Sequence, residues 1–307
     1  MLPDVDDLPE VLLDLGIPHE DINELVARHR TLTSDTGAMR LLEECVEELA
    51  RGMGLVGGDH PEPSAGGAFL ARVEDGPREL GRLFAVYAFV AALPHTRAYH
   101  RTRGIPDDIS RRTLADLGRN LAVHRRRHGH AGLHAPEWIR HHFCGELYQL
   151  GRLQFERARL LDVTARALTE AGIEAAPGAL YLSIHIPDFS GPLSPAGCDR
   201  SIARARAFFA RHYPEEPYVG ALCHSWLLDR QLRKYLPPDS NILRFQERFS
   251  LTREDTEPSD SHPVQFVFGN PELPHQDLPR RTSLERAVGD HLRSGGHWHT
   301  GHGWMRW

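Results

Sequence analysis

Lysine is almost missing from this chain: Lys234 is the only one among 36 basic side chains in 307 residues. A mechanism built on a Schiff-base lysine is disfavoured accordingly. Anionic ligands would instead be gripped by arginine, whose planar fork pairs with carboxylates and phosphates through two hydrogen bonds. Cysteine is also scarce. Cys45, Cys144, Cys198 and Cys223 lie far apart and form no CxxC pair, which argues against a disulfide scaffold or zinc ribbon and for reduced thiols. No hydrophobic run is long enough to span a bilayer, the most apolar stretch being Leu83 to Leu93. The acidic opening, MLPDVDDLPEVLLDLG, has neither a basic segment nor a continuous apolar one, so no secretory signal is expected and the expected compartment is the cytoplasm. Repeats, low-complexity segments and a GxSxG nucleophile elbow are all lacking. A net charge of −6 and a sequence pI near 6.4 argue against nucleic acid or membrane as a partner, and the arginine-rich stretch Arg119 to Arg127 reads as a solvated helix face.

What is present is an ordinary globular composition, 40% apolar and 25% charged, with a change of pattern midway. The first half shows apolar residues three and four apart, which predicts helices over about 20–30, 37–52, 77–101 and 109–127. Asp35 or Thr36 is placed to cap the second of these. GGDHPEPSAGG and HRRRHGHAGLHAPE read as breaks, and a further helix begins at Trp138. From Gly151 strands appear: GRLQFERARL, then LYLSIHIP with Tyr181, Ser183 and His185 on one face. A helix-like connector separates these two, and Ser194-Pro195 starts another helix. The segment 218–251 predicts a strand ending at His224-Ser225, a short helix, and a second strand alternating Arg244, Gln246 and Arg248 against Leu243, Phe245 and Phe249. A polar loop over 254–263, a strand over 264–268, a capped helix at Thr282-x-x-Glu285 and a terminal hairpin complete the expectation. The fold class expected is α+β: a helical amino-terminal domain, 1–145, followed by a mixed α/β domain, 146–307.

Several groups carry candidate chemistry. Arg280 and Arg281 precede Thr282 and Ser283 at a helix start, where free N–H groups and the dipole suit a phosphate. His224, at a strand end, is a candidate general base, because an imidazole titrates near working pH. His185, with Asp188 just beyond it, sits where a strand runs into a Pro/Gly turn, a usual place for ligand-facing loops. Arg244 and Arg248 suit a substrate carboxylate. The histidine groups His297, His299, His302 and His124, His128, His130 resemble metal clusters. No carboxylate or cysteine completes either set, so no metal is expected.

The series LGRLQFE, SIHIP…GPLSP, CHSWLLD, PPDSNILRFQERF, LPRRTSLERAVGDHL and GGHWHTGHGW resembles bacterial, often actinobacterial, two-domain acyltransferase proteins. These join a helical amino-terminal domain to a carboxy-terminal domain resembling the GNAT acyltransferases. The resemblance implies acyl-CoA, acetyl-CoA first, lying in a cleft between splayed strands with its pyrophosphate on a helix N-terminus. It implies direct attack on the thioester by a small amine, amino acid or hydrazine-like acceptor. An acyl carrier protein is an alternative donor. On this chain it implies His224 as base or relay with His185 and Glu247 next, Arg280, Arg281, Thr282 and Ser283 on the cofactor, and Arg244, Arg248 and Asp188 towards the acceptor. The Q/R-x-x-G-x-G/A phosphate loop of that superfamily has no counterpart in RRTSLERA. A non-catalytic ligand sensor on a degenerate GNAT-like fold is the alternative.

Overall fold

The computed structural model describes residues 2–57, 65–254 and 257–307, so most of the expected loop GGDHPEPSAGG and part of that at 254–263 lie outside the described residues. Contacts divide the chain into two compact units, Met1–Gln149 and Leu150–Trp307. The first holds α1 (Leu8–Asp14), α2 (His19–Ser34), α3 (Thr36–Arg51), α4 (Ala65–Glu74), α5 (Phe84–Thr102), α6 (Asp107–Leu114), α7 (Asp116–His128) and α8 (Pro136–Phe143), then a short strand, β1 (Leu147–Gln149). Asp35 caps α3, its carboxylate accepting from the N–H of Gly37 at 2.8 Å and of Ala38 at 3.0 Å. The apolar run of α5 is buried on all sides from Phe84 to Leu93, as an all-round hydrophobic helix must be. Phe89 meets Phe69 and Phe143 at ring-centroid distances of 5.3 and 4.9 Å. The single helix expected over 109–127 is two, α6 and α7, meeting at Ala115.

The second unit carries β2 (Gln154–Arg159), α9 (Asp162–Glu170), β3 (Leu180–His185), α10 (Pro195–His212), β4 (Ala221–Ser225), α11 (Asn241–Gln246), β5 (Ser250–Glu254), α12 (Ser261–Phe268), α13 (Ser283–Arg293) and β6 (Gly301–Met305). Its strands are ordered β2-β3-β4-β6-β5. All pairings are antiparallel except β3 with β4, which run parallel and need the crossover that α10 supplies. On the face carrying Phe155, the rings of Phe155 and Phe209 of α10 both approach Trp307, at 6.1 and 6.5 Å. The same face buries Arg157 against the Tyr213 ring at 4.1 Å. The other face is covered at one end by α9, whose Ala165 and Leu168 pack with Leu222 and Trp304. Gly220 is required there, because a Cβ would lie 1.9 Å from the Trp304 ring. Helices α12 and α13 form a separate layer with Trp226, Leu232 and Trp298.

Three strand expectations are corrected. The alternation over 243–249 is not a strand but α11 and its exit. Ser240 caps the N–H of Leu243 at 3.4 Å, and the buried residues Phe245, Gln246 and Phe249 also satisfy a helical three-and-four spacing, an ambiguity inherent in short runs. Residues 264–268 belong to α12, which Gly269 ends in the left-handed region at φ 82°. The terminal hairpin is one strand, β6, inserted between β4 and β5. A central strand takes its partners from distant sequence, which a local pattern does not reveal.

Candidate active site

The parallel ladder between β3 and β4 registers only Leu182 with Ala221 and Ser183 with Leu222. Beyond those pairs both strands continue, to His185 and Ser225, without registering against each other. Two parallel strands that part in this way expose backbone donors and acceptors on facing edges. The registers place Glu156, Ser183, His185, Leu222, His224 and His302 on one sheet face, since directly paired strand residues point the same way. Leu222 lies under α9, while the histidines lie further along, towards the parted ends.

His185 is held by a carboxylate. Its Nε2 lies 2.7 Å from Glu156 Oε2, with the imidazole 28% and the carboxylate 17% exposed. An imidazole fixed by a carboxylate at one nitrogen is oriented, and the positive charge it acquires on taking a proton is stabilised. His224 is exposed and sits opposite His302 of β6. Their Nδ1 atoms are hydrogen-bonded and the ring centroids are 4.6 Å apart. Between two imidazoles one ring donates and the other accepts, so His224 shares a proton with a second base.

The start of α10 follows β3 through the loop 186–194. Ser194 caps it, accepting from the N–H of Gly197 at 3.3 Å. Arg152 braces the loop, donating to the carbonyls of Pro187 at 2.9 Å and Pro192 at 3.2 Å. Arg248 reaches the same helix start, donating to Pro195 O at 3.1 Å and pairing with Asp199. Its buried Nε–H finds no acceptor among the described residues.

The other expected site residues are engaged locally. Arg280 pairs with Asp290, and Arg281 with Glu285 at 3.2 Å. Thr282 caps α13 in a reciprocal capping box, and Ser283 is its first residue. The segment preceding that helix is not a strand, so the strand-loop-helix geometry that favoured a phosphate there is lacking. Glu247 is exposed and pairs with Arg244 at 3.1 Å, and Asp188 is exposed in the turn after β3. The structure thus unites His185 with Glu156 and aligns His224 on the same face, while Arg248 and Arg244 part company. Glu156 and His302 are the residues whose roles the sequence hid: both sit on polar strand faces, but only the register reveals their partners.

All four cysteines are buried. Burial pushes the thiols of Cys45, Cys144 and Cys223 up to about 12. They are inert at neutral pH, which leaves no thiolate to accept an acyl group.

Residues 6–145 match the N-acyltransferase N-terminal domain family, and residues 147–305 match the GNAT-like C-terminal domain family. The chain belongs to the GNAT-like two-domain acyltransferases. It is accordingly an acyltransferase, with the helical first half and mixed-sheet second half of that family. Among solved structures it is similar to an acyltransferase in complex with decanoyl-CoA and teicoplanin, at 36% identity over all of this chain and 89% of the other, with a TM-score of 0.80. An acyltransferase mutant in complex with octanoyl-CoA matches at the same identity, coverage and TM-score. An acyltransferase in complex with decanoyl-CoA matches at 35% identity over the same shares, with a TM-score of 0.81. No match is found among curated proteins. No helix among the described residues is long and apolar enough to cross a membrane.

Proposed function

We propose that the protein is an N-acyltransferase that moves a medium-chain acyl group from acyl-CoA to an amine on an acceptor larger than a free amino acid. The observation that carries this reading is the parting of β3 and β4 beside the His185–Glu156 dyad. The parted edges offer backbone groups to the amides of a pantetheine arm, and the thioester would then lie along the face that carries His185. The acyl length and acceptor size rest on the neighbouring acyltransferases, whose complexes hold octanoyl-CoA, decanoyl-CoA and teicoplanin, and replace the acetyl group and small amine expected from resemblance.

In the proposed reaction the acceptor nitrogen attacks the thioester carbonyl carbon. The C–N bond forms, the C–S bond breaks, and CoA leaves as the thiolate. The proton lost by nitrogen passes to His185, whose charged form Glu156 steadies, and returns to the thiolate. His224, coupled to His302, stands second as base or relay. The phosphates are assigned to the start of α10, where the helix dipole adds to Arg152 and Arg248. Thus Arg248 moves from the acceptor to the cofactor, and Arg280, Arg281, Thr282 and Ser283 serve the stability of α13.

Thermal shift and thiol release test this directly. Decanoyl-CoA and octanoyl-CoA are expected to stabilise the protein more than acetyl-CoA does, because a ligand that binds only the folded state raises its stability with affinity. A teicoplanin-type amine is expected to release CoA with either. Equal turnover of acetyl-CoA would overturn the chain-length assignment, and no stabilisation by any acyl-CoA would overturn the donor.

A further inference from the structure

Ser183 lies on the face that carries Glu156 and His185, yet the reaction proposed above gives it no part. It is 6% exposed. Glu156 stands directly across from it in the antiparallel pair with β2, and Leu222 in the parallel pair with β4, where the registered ladder ends. His185 follows two residues along the same strand, about 6.5–7 Å further on the same face. The Ser183 hydroxyl has no hydrogen-bond partner among the described residues. Buried hydroxyls normally find one, and an acceptor is close: Cβ atoms of a cross-strand pair are about 4.5–5.5 Å apart. The Glu156 carboxylate, however, is turned to His185 Nε2 at 2.7 Å. The other polar side chains of the face are engaged. His224 and His302 hold each other, and Tyr181, one repeat back, packs with the α9 cluster. Ser183 therefore brings a free O–H donor to within one strand repeat of the base, and rotation about its C–O bond aims that donor.

We propose that Ser183 is a catalytic residue that stabilises the oxyanion: its O–H donates to the thioester oxygen while the acceptor nitrogen adds. The inference rests on the site as read above and adds a residue to it. In the addition, the nitrogen lone pair forms the C–N bond, the carbonyl π pair moves onto oxygen, and the proton from nitrogen passes to His185. In the collapse, the carbonyl re-forms, the C–S bond breaks, and the leaving thiolate takes the proton from His185. Ser183 keeps its own proton throughout. The spacing suits both contacts at once. A hydrogen bond at each end spans about 3 Å, and the nitrogen, carbon and oxygen of the tetrahedral centre bridge what remains of one strand repeat. A donor held in a buried place, aimed where negative charge develops, is worth more than the same donor in water. The backbone N–H groups on the parted edges of β3 and β4 stay available to the pantetheine amides.

Steady-state kinetics of the full chain with decanoyl-CoA and a teicoplanin-type amine test the role. Ser183→Ala is expected to lower kcat by about 10²-fold or more, the usual cost of one oxyanion donor, with the KM for decanoyl-CoA and the shape of the pH–rate profile unchanged. Ser183→Thr keeps the hydroxyl on a residue suited to strands and is expected to restore most of the rate. A spectroscopic readout separates this role from a structural one. The infrared carbonyl band of bound decanoyl-CoA labelled with carbon-13 at the thioester carbon is expected at lower frequency in the parent than in Ser183→Ala, because a donated hydrogen bond weakens the C=O bond. The assignment is overturned if Ser183→Ala keeps kcat within about threefold of the parent, if it shifts the pH–rate profile as Glu156→Gln does, or if the carbonyl band is the same in both proteins. Decanoyl-CoA that stabilises the parent and Ser183→Ala equally against heat confines such a failure to Ser183. Decanoyl-CoA that stabilises neither overturns the donor site and this inference with it.

Discussion

His100 and His185 show how the two units treat the same side chain. In the helical unit, His100 is 2% exposed, donates or accepts one bond with Ser110 Oγ at 2.7 Å, and leaves Nε2 without a partner among the described residues. Burial pushes its pKa down from 6.5 to about 4. In the sheet unit, His185 keeps part of its ring in solvent and faces a carboxylate. The lesson is physical. Burial without a charge silences an imidazole, whereas a carboxylate and an open edge make it usable as a base. Buried Asp116 of the helical unit likewise serves internal structure, receiving Trp138 Nε1 at 3.1 Å and Asn120 Nδ2 at 3.0 Å. The sheet unit gathers titratable groups at the parted end of one sheet face.

The largest effect that would sharpen this contrast is catalytic. His185→Ala is expected to lower kcat with acyl-CoA by roughly 10²- to 10⁴-fold, the usual contribution of a general base, with the circular dichroism spectrum unchanged. Glu156→Gln is expected to cost less and to shift the pH–rate profile. If His185→Ala keeps parental turnover while His224→Ala loses it, the base has been assigned to the wrong strand.

Next in size, Phe89→Ala is expected to cost about 3–5 kcal/mol through the cavity it leaves among Phe69, Phe143 and the rest of the helical core. Urea unfolding with a tryptophan probe would register it, and a loss below about 1 kcal/mol would mean that the core around α5 is less well packed than described.

His100 gives the pH-dependent test. Its folded pKa lies below the unfolded value, so as pH falls from 6.5 towards 4 the unfolded chain takes up a proton that the folded one refuses. Stability is therefore full above 6.5 and declines through that window, by an order of about 3 kcal/mol. His100→Leu is expected to flatten this slope in acid-unfolding curves while leaving the pH–rate profile alone. A slope that persists in the variant would assign it to other groups.

The smallest effect belongs to the cap of α13. Thr282→Ala is expected to cost about 1 kcal/mol and to leave the KM for acyl-CoA unchanged, whereas Arg248→Ala is expected to raise that KM. The reverse result would return the phosphates to α13.

Legibility from sequence followed the range of the interaction. The helices around Leu42, Leu49 and Phe89, the cap at Asp35, and the strands at 154–159 and 180–185 all rest on contacts a few residues apart, and periodicity exposes those. The run 243–249 defeated it, because Leu243, Phe245 and Phe249 suit either period over so short a span. His185 and His224 were recognisable as candidate bases at strand ends. Glu156 was not, because its role depends on a register set by chain 29 residues away.

Composition and motif order alone decided the class of this protein: a helical half, a sheet-bearing half, arginine in place of lysine, no reactive thiol framework, and kinship with the acyltransferases. Tertiary structure alone decided which histidine meets a carboxylate, which helix start gathers guanidinium groups, and where the parallel strands part. The reason is that propensity and hydrophobic period act along the chain. A catalytic pairing is a distance between strands, and only strand order and register can set it.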